Sequence, residues 1–366
     1  MIQNNTYKAL VLGIIVLVSS CTSDTGSERN TVVTIKGDKF YINNQITYEG
    51  RVWNGYPIEG LLLNSRIVNG IFDDLNPETR GLWAYPDTKE WDPERNTREF
   101  VEHMEDWNEN GLLAFTINPQ GGSPIAYGNK DWLNAGYMED GSLRPAYMER
   151  LEKILDRADE LNMVVILGLF YFGQDEVLRD EQAVITAVDN MMDWLFERNY
   201  RNILIEINNE SDVTHEYDHE ILKPDRVTEL IERVKSKKMN GFSFLTGTSF
   251  LDVPTPEVIR ASDFVLVHGN YLDDPDQITQ KIETIRNTEG YRPMPVLFTE
   301  DDHHGFEEPL NNFTAAVMSY ASWGYWDWRR EGESFENGLT LPPVDYRISS
   351  DRKKAYFNLL KEISGY

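Results

Sequence analysis

The sequence predicts an α/β protein, a (β/α)8 TIM barrel preceded by a short N-terminal β-hairpin. Along the 366 residues, eight strand-like runs alternate with helix-like segments, and eight such steps are what this barrel requires. The segments after the runs are long and rich in aromatic and polar residues, whereas those before them are short. Because barrels carry their active sites on the carboxyl-end loops, this asymmetry predicts a site on that face. An open doubly wound sheet normally shows a glycine-rich phosphate loop after its first strand, and residues 60–64 contain none.

The first elements are predicted to be small hairpins. Between residues 31 and 50, the turn pairs Gly37-Asp38 and Asn43-Asn44 separate short apolar runs. This pattern is typical of β-hairpins. We expect them to close the bottom of the barrel.

The barrel strands are predicted from short runs rich in branched aliphatic residues. They span residues 60–63, 112–117, 164–169, 203–207, 243–246, 264–267, 296–299 and 316–321. Two of the intervening segments show apolar residues at helix spacing. These residues are Tyr147, Leu151, Ile154, Leu155, Ala158 and Leu161 in the first segment, and Val184, Val188, Met191, Met192 and Leu195 in the second.

The N-terminus is predicted to be a bacterial lipoprotein signal. Lys8 precedes an apolar stretch at residues 9–18, which is too short for an ordinary spanning helix. The following Val18-Ser19-Ser20-Cys21 resembles a lipobox, and Cys21 is the only cysteine in the chain, so it cannot form an internal disulfide. We therefore expect a signal peptide at residues 1–20, a flexible tether at 21–30 that begins with a lipidated Cys21, and one catalytic domain at 31–366. This implies an outer-membrane lipoprotein of a Gram-negative bacterium, periplasmic or surface-exposed.

The charge of the chain limits its partners. The formal net charge is −26, and the acidic residues are spread along the whole sequence. Such a surface repels phosphate backbones, which argues against nucleic-acid binding. No segment of the body is long and apolar enough to cross a membrane. Membrane contact is therefore expected through the lipid alone, and the protein is expected to be a monomer.

Two glutamates close apolar runs and are the main candidates for chemistry. Residues 203–207 lead to Asn209 and Glu210, and residues 295–299 lead to Glu300. An ionised carboxylate is costly to place beside a buried strand, so two of them at strand ends indicate function. Cleavage of a glycosidic bond with retention requires two carboxyl groups about 5–5.5 Å apart, one as acid/base and one as nucleophile.

The segment Glu206-Ile207-Asn208-Asn209-Glu210 resembles the fourth-strand motif of family 5 cellulases, which belong to glycoside hydrolase clan A. The resemblance implies that Asn209 binds the sugar 2-hydroxyl and that Glu210 is the acid/base. Phe298-Thr299-Glu300 is similar to the segment that presents the nucleophile, and His268 resembles the histidine of strand six. The implied activity is double-displacement hydrolysis of a β-linked oligo- or polysaccharide, with no cofactor.

Further sugar-binding residues are expected on the carboxyl-end loops. The related enzymes usually carry an arginine on the second strand, but the second strand predicted here, which leads to Asn118, has none. Arg66, near the end of the first strand, is a candidate to replace it. Tyr271 stands one place later than the tyrosine of the related motif, with Asn270 in its position. The complete set expected to bind substrate is Asn209, Arg66, Asn118, His268, Tyr271, His303, Trp323 and Trp326.

Two other functions remain open. Asp301-Asp302-His303-His304 combines acids and imidazoles, which can bind a divalent metal. A metal-dependent barrel hydrolase is disfavoured because adjacent residues on a strand point to opposite sides and the first strand ends in no His-any-His pair; we expect no metal. A non-catalytic glycan-binding lipoprotein is the third possibility, although such proteins usually lose one of the two carboxylates.

Overall fold

The computed structural model of the protein describes residues 29–122 and 131–366. The predicted signal peptide, Cys21 and most of the predicted tether lie outside the described residues. The last two tether residues contact the body of the protein. Arg29 forms an ion pair with Asp156 at 2.7 Å, and the backbone N–H of Asn30 donates to the Asp159 carboxylate at 3.0 Å.

The N-terminal segment forms two antiparallel sheets, and the predicted turn pairs Gly37-Asp38 and Asn43-Asn44 connect the strands of the first one. The first sheet comprises β1 (Val33–Lys36), β2 (Lys39–Ile42) and β3 (Gln45–Ile46), and the second pairs β4 (Val52–Trp53) with β5 (Tyr56–Pro57). Phe40 is buried in the main core, and the Tyr48 hydroxyl donates to the carbonyl of Gly111 at 2.8 Å. Since Gly111 precedes a strand of the central sheet, the hairpins lie against the amino ends of those strands.

The main body has the predicted (β/α)8 fold. Its strands are β6 (Asn64–Arg66), β7 (Ala114–Ile117), β8 (Val164–Phe170), β9 (Ile203–Asn208), β10 (Leu245–Gly247), β11 (Ser249–Phe250), β12 (Val265–His268), β13 (Val296–Glu300) and β14 (Gly324–Tyr325). Six of them pair in the order β10-β9-β8-β7-β6-β14, and the other three in the order β11-β12-β13. All these pairings are parallel.

The two parallel sheets are linked at both ends. Only Thr248 separates β10 from β11, so these two short strands occupy the place of the fifth strand. At the other end, a parallel bridge joins Leu297 of β13 to Ser322, just before β14. The strands therefore follow one another in the order expected for this fold.

Eight helices surround the strands in the described part of the chain. They are α1 (Pro93–Glu109), α2 (Pro145–Glu160), α3 (Glu181–Glu197), α4 (Val227–Ser236), α5 (Pro256–Ala261), α6 (Pro275–Asn287), α7 (Asn312–Met318) and α8 (Asp351–Ser364). The two helices predicted from apolar spacing, α2 and α3, are confirmed. Local chemistry sets many helix starts: Asp274 and Gln277 form a capping box before α6, and Pro275 occupies its first turn. Among the described helices, none is long and apolar enough to cross a membrane.

The predicted first and eighth strands are wrong in position. Residues 61–63 are buried but irregular, because the backbone N–H of Leu62 donates to the Ser322 hydroxyl, and the strand begins only at Asn64. Residues 316–318 belong to α7, where Asn311 and Thr314 form a capping box, and the eighth strand is β14. Both errors concern short apolar runs, for which composition does not distinguish a strand from a buried helix or loop.

Candidate active site

Two buried glutamates meet at the carboxyl ends of β9 and β13. Glu210 is 7% exposed and Glu300 is 3% exposed, and a carboxylate oxygen of each lies within 4.8 Å of the other. The chain turns sharply at Glu210, which has a positive φ of 44°. A non-glycine residue in this conformation costs about 1 kcal/mol or more. The turn is held by the Ser249 hydroxyl, which accepts from the Glu210 N–H at 2.9 Å.

Arg66 connects the strand ends beneath these carboxylates. It is the last residue of β6 and is almost completely buried. Its Nε lies 2.5 Å from Glu300 Oε2 and its Nη1 lies 3.5 Å from Glu206 Oε2. Its Nη2 donates to the side-chain oxygen of Asn209. One guanidinium thus neutralises buried carboxylate charge and fixes the Asn209 amide.

His268 and Asn270 hold one glutamate each. His268 Nδ1 shares a hydrogen bond of 2.7 Å with Glu210 Oε1, and Asn270 Nδ2 donates to Glu300 Oε1 at 2.6 Å. The pairing of β12 with β13 shifts between Val267 and His268, so that His268 lies opposite Glu300. This irregularity re-aims the residues at the strand end.

The two glutamates differ in the groups that shift their pKa values. Burial raises the pKa of Glu210 to about 7. The pKa of Glu300 is also raised, mainly by burial, although His268, the Arg66 charge and the Asn270 amide each act in the opposite direction. Burial lowers the pKa of His268 to about 4, so its imidazole is neutral at neutral pH. Glu300 lies beside the Arg66 guanidinium and accepts from the Asn270 amide, and both contacts favour the charged form of its carboxylate.

A cavity of about 1160 Å³ opens at the two glutamates. It is bordered by the segments that follow β8, β9, β12, β13 and β14, which is the face predicted from loop length. The predicted binding residues Tyr271, His303 and Trp326 line it. Tyr271 is 80% exposed, with a positive φ of 65°, and so presents its ring at the rim.

The other predicted binding residues do not line the cavity. Arg66, Asn209 and His268 lie below it and contact the glutamates or one another, as described above. Asn118 is buried beside Gly168, and its amide makes no hydrogen bond among the described residues. Trp323 is 1% exposed, so the structure does not support its predicted role in binding substrate.

Trp323 belongs to the core for a clear reason. Its ring stacks on Phe313 of α7 and on Tyr325 of β14, and its Nε1 donates to Asp301 Oδ2 at 3.0 Å. Trp326 follows β14 directly and faces the cavity together with Trp328, with ring centroids 5.9 Å apart. Of the two tryptophans predicted to bind substrate, only Trp326 reaches the cavity, and Trp328 lies beside it there.

His303 is held as a cation in the cavity wall. Its Nδ1 lies 2.7 Å from Asp301 Oδ1 and its Nε2 lies 3.1 Å from Asp273 Oδ1. The hydrogen bond to Asp301 raises the pKa of His303 to about 9. The protonated ring thus bridges the loop after β13 to the loop after β12.

Two groups of acids and imidazoles have ligand atoms close enough to hold a metal ion: Glu210 with His268 and Glu300, and Asp301 with Asp302 and His303. In the first group, the Arg66 guanidinium already supplies the positive charge at Glu300. In the second, the Asp301 and Asp273 carboxylates already occupy the two ring nitrogens of His303. A metal ion is therefore not needed to explain how either group is held together.

Sequence reasoning missed several parts of the site. Asn270 stands out only as a departure from the related motif, yet it contacts Glu300. Tyr171 and Phe172 line the cavity directly after β8, and an aromatic pair at the end of a predicted strand is a signal that could have identified them. Glu206 is buried on β9 against Arg66; its place in the strand-four motif is the available signal.

Comparison with known proteins identifies the fold. No family model matches the chain, and no curated protein matches it in sequence. A family 5 mannosidase from Rhizomucor miehei is 11% identical with a TM-score of 0.53, and the match covers 92% of this chain and 98% of that one. A broad-specificity family 5 endoglucanase from Bacteroides salanitronis is 12% identical with a TM-score of 0.54, covering 82% and 92%.

A third similar structure contains a bound glycan. It is a variant of a family 5 glycoside hydrolase from Prevotella bryantii in complex with a xyloglucan tetradecasaccharide, 13% identical with a TM-score of 0.55, covering 83% of this chain and 95% of that one. The chain therefore has the (β/α)8 fold found in family 5 glycoside hydrolases.

Proposed function

We propose that this protein is a retaining glycoside hydrolase that cleaves β-linked glycans, with Glu210 as acid/base and Glu300 as nucleophile. The observation that carries the proposal is the placement of two buried carboxylates, within 4.8 Å of each other, at the base of an aromatic-lined cavity. Retaining enzymes hold their two carboxyl groups about 5–5.5 Å apart and inverting enzymes about 6.5–9.5 Å apart, so this close approach of the two carboxylates supports a retaining mechanism.

The surroundings of the pair support the two roles. A general acid must hold its proton at the working pH, and the pKa of Glu210, about 7, meets this condition. A nucleophile must be ionised and aimed, and Glu300 is paired with the Arg66 guanidinium and accepts a hydrogen bond from the Asn270 amide. Glu300 attacks the anomeric carbon while Glu210 protonates the leaving oxygen. Glu210 then removes a proton from the water that releases the sugar.

A polysaccharide panel tests this proposal. Because similar folds occur in a mannosidase, an endoglucanase and a xyloglucan-bound hydrolase, the panel includes β-mannan, β-glucans and xyloglucan, with sizing of the products. We expect hydrolysis of at least one of them, with proton NMR of the first product showing the β-anomer. An α-anomer as first product contradicts retention, and binding without hydrolysis identifies a glycan-binding protein instead.

We further propose that the protein is anchored to the outer membrane through lipidated Cys21. The proposal rests on the position of Cys21, directly after the apolar leader and the lipobox-like residues. We expect Cys21→Ser to be recovered as a soluble or uncleaved protein, whereas the wild-type protein fractionates with membranes. If the serine variant remains in the membrane fraction with its leader removed, the anchor lies elsewhere.

A further inference from the structure

Lys281 of α6 is a buried cation that the proposed mechanism does not use. It is 8% exposed, and its Nζ donates to two backbone carbonyls, that of His268 at 2.9 Å and that of Leu251. Burying an ammonium group is costly, and lysine is rarely buried without a specific partner. The contacts made by Lys281 therefore indicate a role at the ends of β11 and β12.

The two carbonyls lie where regular strand pairing ends. The pairing of β11 with β12 consists of Ser249 with Leu266 and Phe250 with Val267, and it stops one residue before His268. On the other side of β12, the pairing with β13 is irregular between Val267 and His268. Lys281 donates to the His268 carbonyl beyond the last pair of β11 with β12, and so secures the backbone at the residue that contacts Glu210.

We propose that Lys281 is a positioning residue for the acid/base: its ammonium fixes the backbone of His268, and thereby sets the imidazole that holds Glu210. This inference rests on the proposed function of Glu210. Lys281 does not line the cavity, so it acts through His268 and has no direct contact with substrate.

The charge of Lys281 supports the same role. The acidic groups that face its ammonium include Asp252, Asp212, Glu210 and Asp301, and burial lowers the pKa of Lys281. The Lys281 charge also disfavours protonation of His268, whose pKa is lowered mainly by burial. A neutral imidazole leaves the proton of the pair on Glu210, where the first chemical step needs it.

Lys281→Met tests the proposal, with Lys353→Met as the matched control. Lys353 is a buried lysine on α8 whose Nζ donates to the backbone carbonyl of Asp345, away from both glutamates. Each variant is assayed for kcat/KM with a glycan and with an aryl glycoside that has a good leaving group. A good leaving group departs without protonation. In the steps that lead to the glycosyl-enzyme, a displaced acid/base therefore slows the reaction of the glycan but not that of the aryl glycoside.

We expect Lys281→Met to lower kcat/KM on the glycan by about tenfold or more, with a change below about threefold on the aryl glycoside. Lys353→Met should leave both values near those of the wild type, and Lys281→Arg, which keeps charged donors, should recover part of the loss. Equal losses of Lys281→Met on both substrates, or no loss on either, overturn the proposal. If Lys281→Met does not fold, Lys281→Gln, which keeps a neutral donor, is used in its place. It should also lose more kcat/KM on the glycan than on the aryl glycoside, but by a smaller factor.

A spectroscopic measurement separates this proposal from the proposed function. The chain has 6 histidines, so the imidazole ¹⁵N resonances of His268 can be assigned by comparison with His268→Gln. We expect these resonances to shift in Lys281→Met and to remain unchanged in Lys353→Met. Unchanged His268 resonances in Lys281→Met refute the positioning role. If the shift occurs but the wild-type protein hydrolyses no substrate, the proposed function fails while the structural role of Lys281 stands.

Discussion

Glu300→Ala should abolish turnover of both natural glycans and activated aryl glycosides. The variant lacks the group that forms the covalent bond, and a better leaving group cannot replace that group. We expect losses on the order of 10⁴-fold or more, the scale seen when an essential nucleophile is removed. Initial rates on the best substrate of the panel and on an aryl glycoside measure the effect, with circular dichroism to confirm that the variant folds.

Azide identifies the role of the missing group. In Glu300→Ala, a small anion can enter the space left by the carboxylate and attack the anomeric carbon directly. The product is then a glycosyl azide of inverted configuration, which NMR detects. Full activity of Glu300→Ala, or a rescued product of retained configuration, contradicts the assignment of Glu300 as nucleophile.

Glu210→Ala should produce a different pattern. Loss of the general acid slows glycan cleavage by about 10²–10⁴-fold, whereas an activated aryl glycoside still forms the glycosyl-enzyme. Hydrolysis then stalls, because no base activates water. Pre-steady-state measurement should show a burst of released phenol, and azide should accelerate turnover by trapping the intermediate as a glycosyl azide of retained configuration. Equal impairment on both substrates without a burst contradicts the acid/base role.

The pH dependence provides a second measure of Glu210. Its pKa is raised to about 7, so the acid form persists up to neutral pH and is lost as pH increases further. In the wild-type protein, kcat/KM on a glycan should therefore fall as pH rises through about 7. Glu210→Ala should lack this alkaline limb in its residual activity on the same glycan.

The sequence predicts the centre of the site better than its edges. Runs of branched aliphatic residues, each closed by a polar residue, correctly locate the strands that present Glu210, His268 and Glu300. These strands are buried on both faces, so their composition alone is informative. Arg66 is predicted to bind substrate, but it lies below the cavity beside Glu300, and its strand begins several residues later than predicted.

The residues around the two glutamates depend on strand register and side-chain packing, which the spacing of residues along the sequence does not reveal. The contact of Asn270 with Glu300 accompanies a register shift at the end of β12, and no residue pattern announces that shift. Trp323 and Trp326 lie on either side of β14, and only packing against α7 directs one into the core and the other into the cavity. The eighth strand was misplaced because the run before it is apolar enough for either a strand or a helix.

The way the N-terminal segment joins the body determines how an anchored molecule faces its surroundings. Thr31 donates to Asp159, and Val32 bridges to Arg201 just before β9 begins, so the chain enters at the end of the sheet opposite the cavity. Residues 21–28 can span at most about 28 Å when fully extended. If Cys21 carries the proposed lipid, this reach keeps the hairpin end of the protein within about that distance of the bilayer, while the cavity opens at the opposite end of the sheet, where a large polymer has room to enter it.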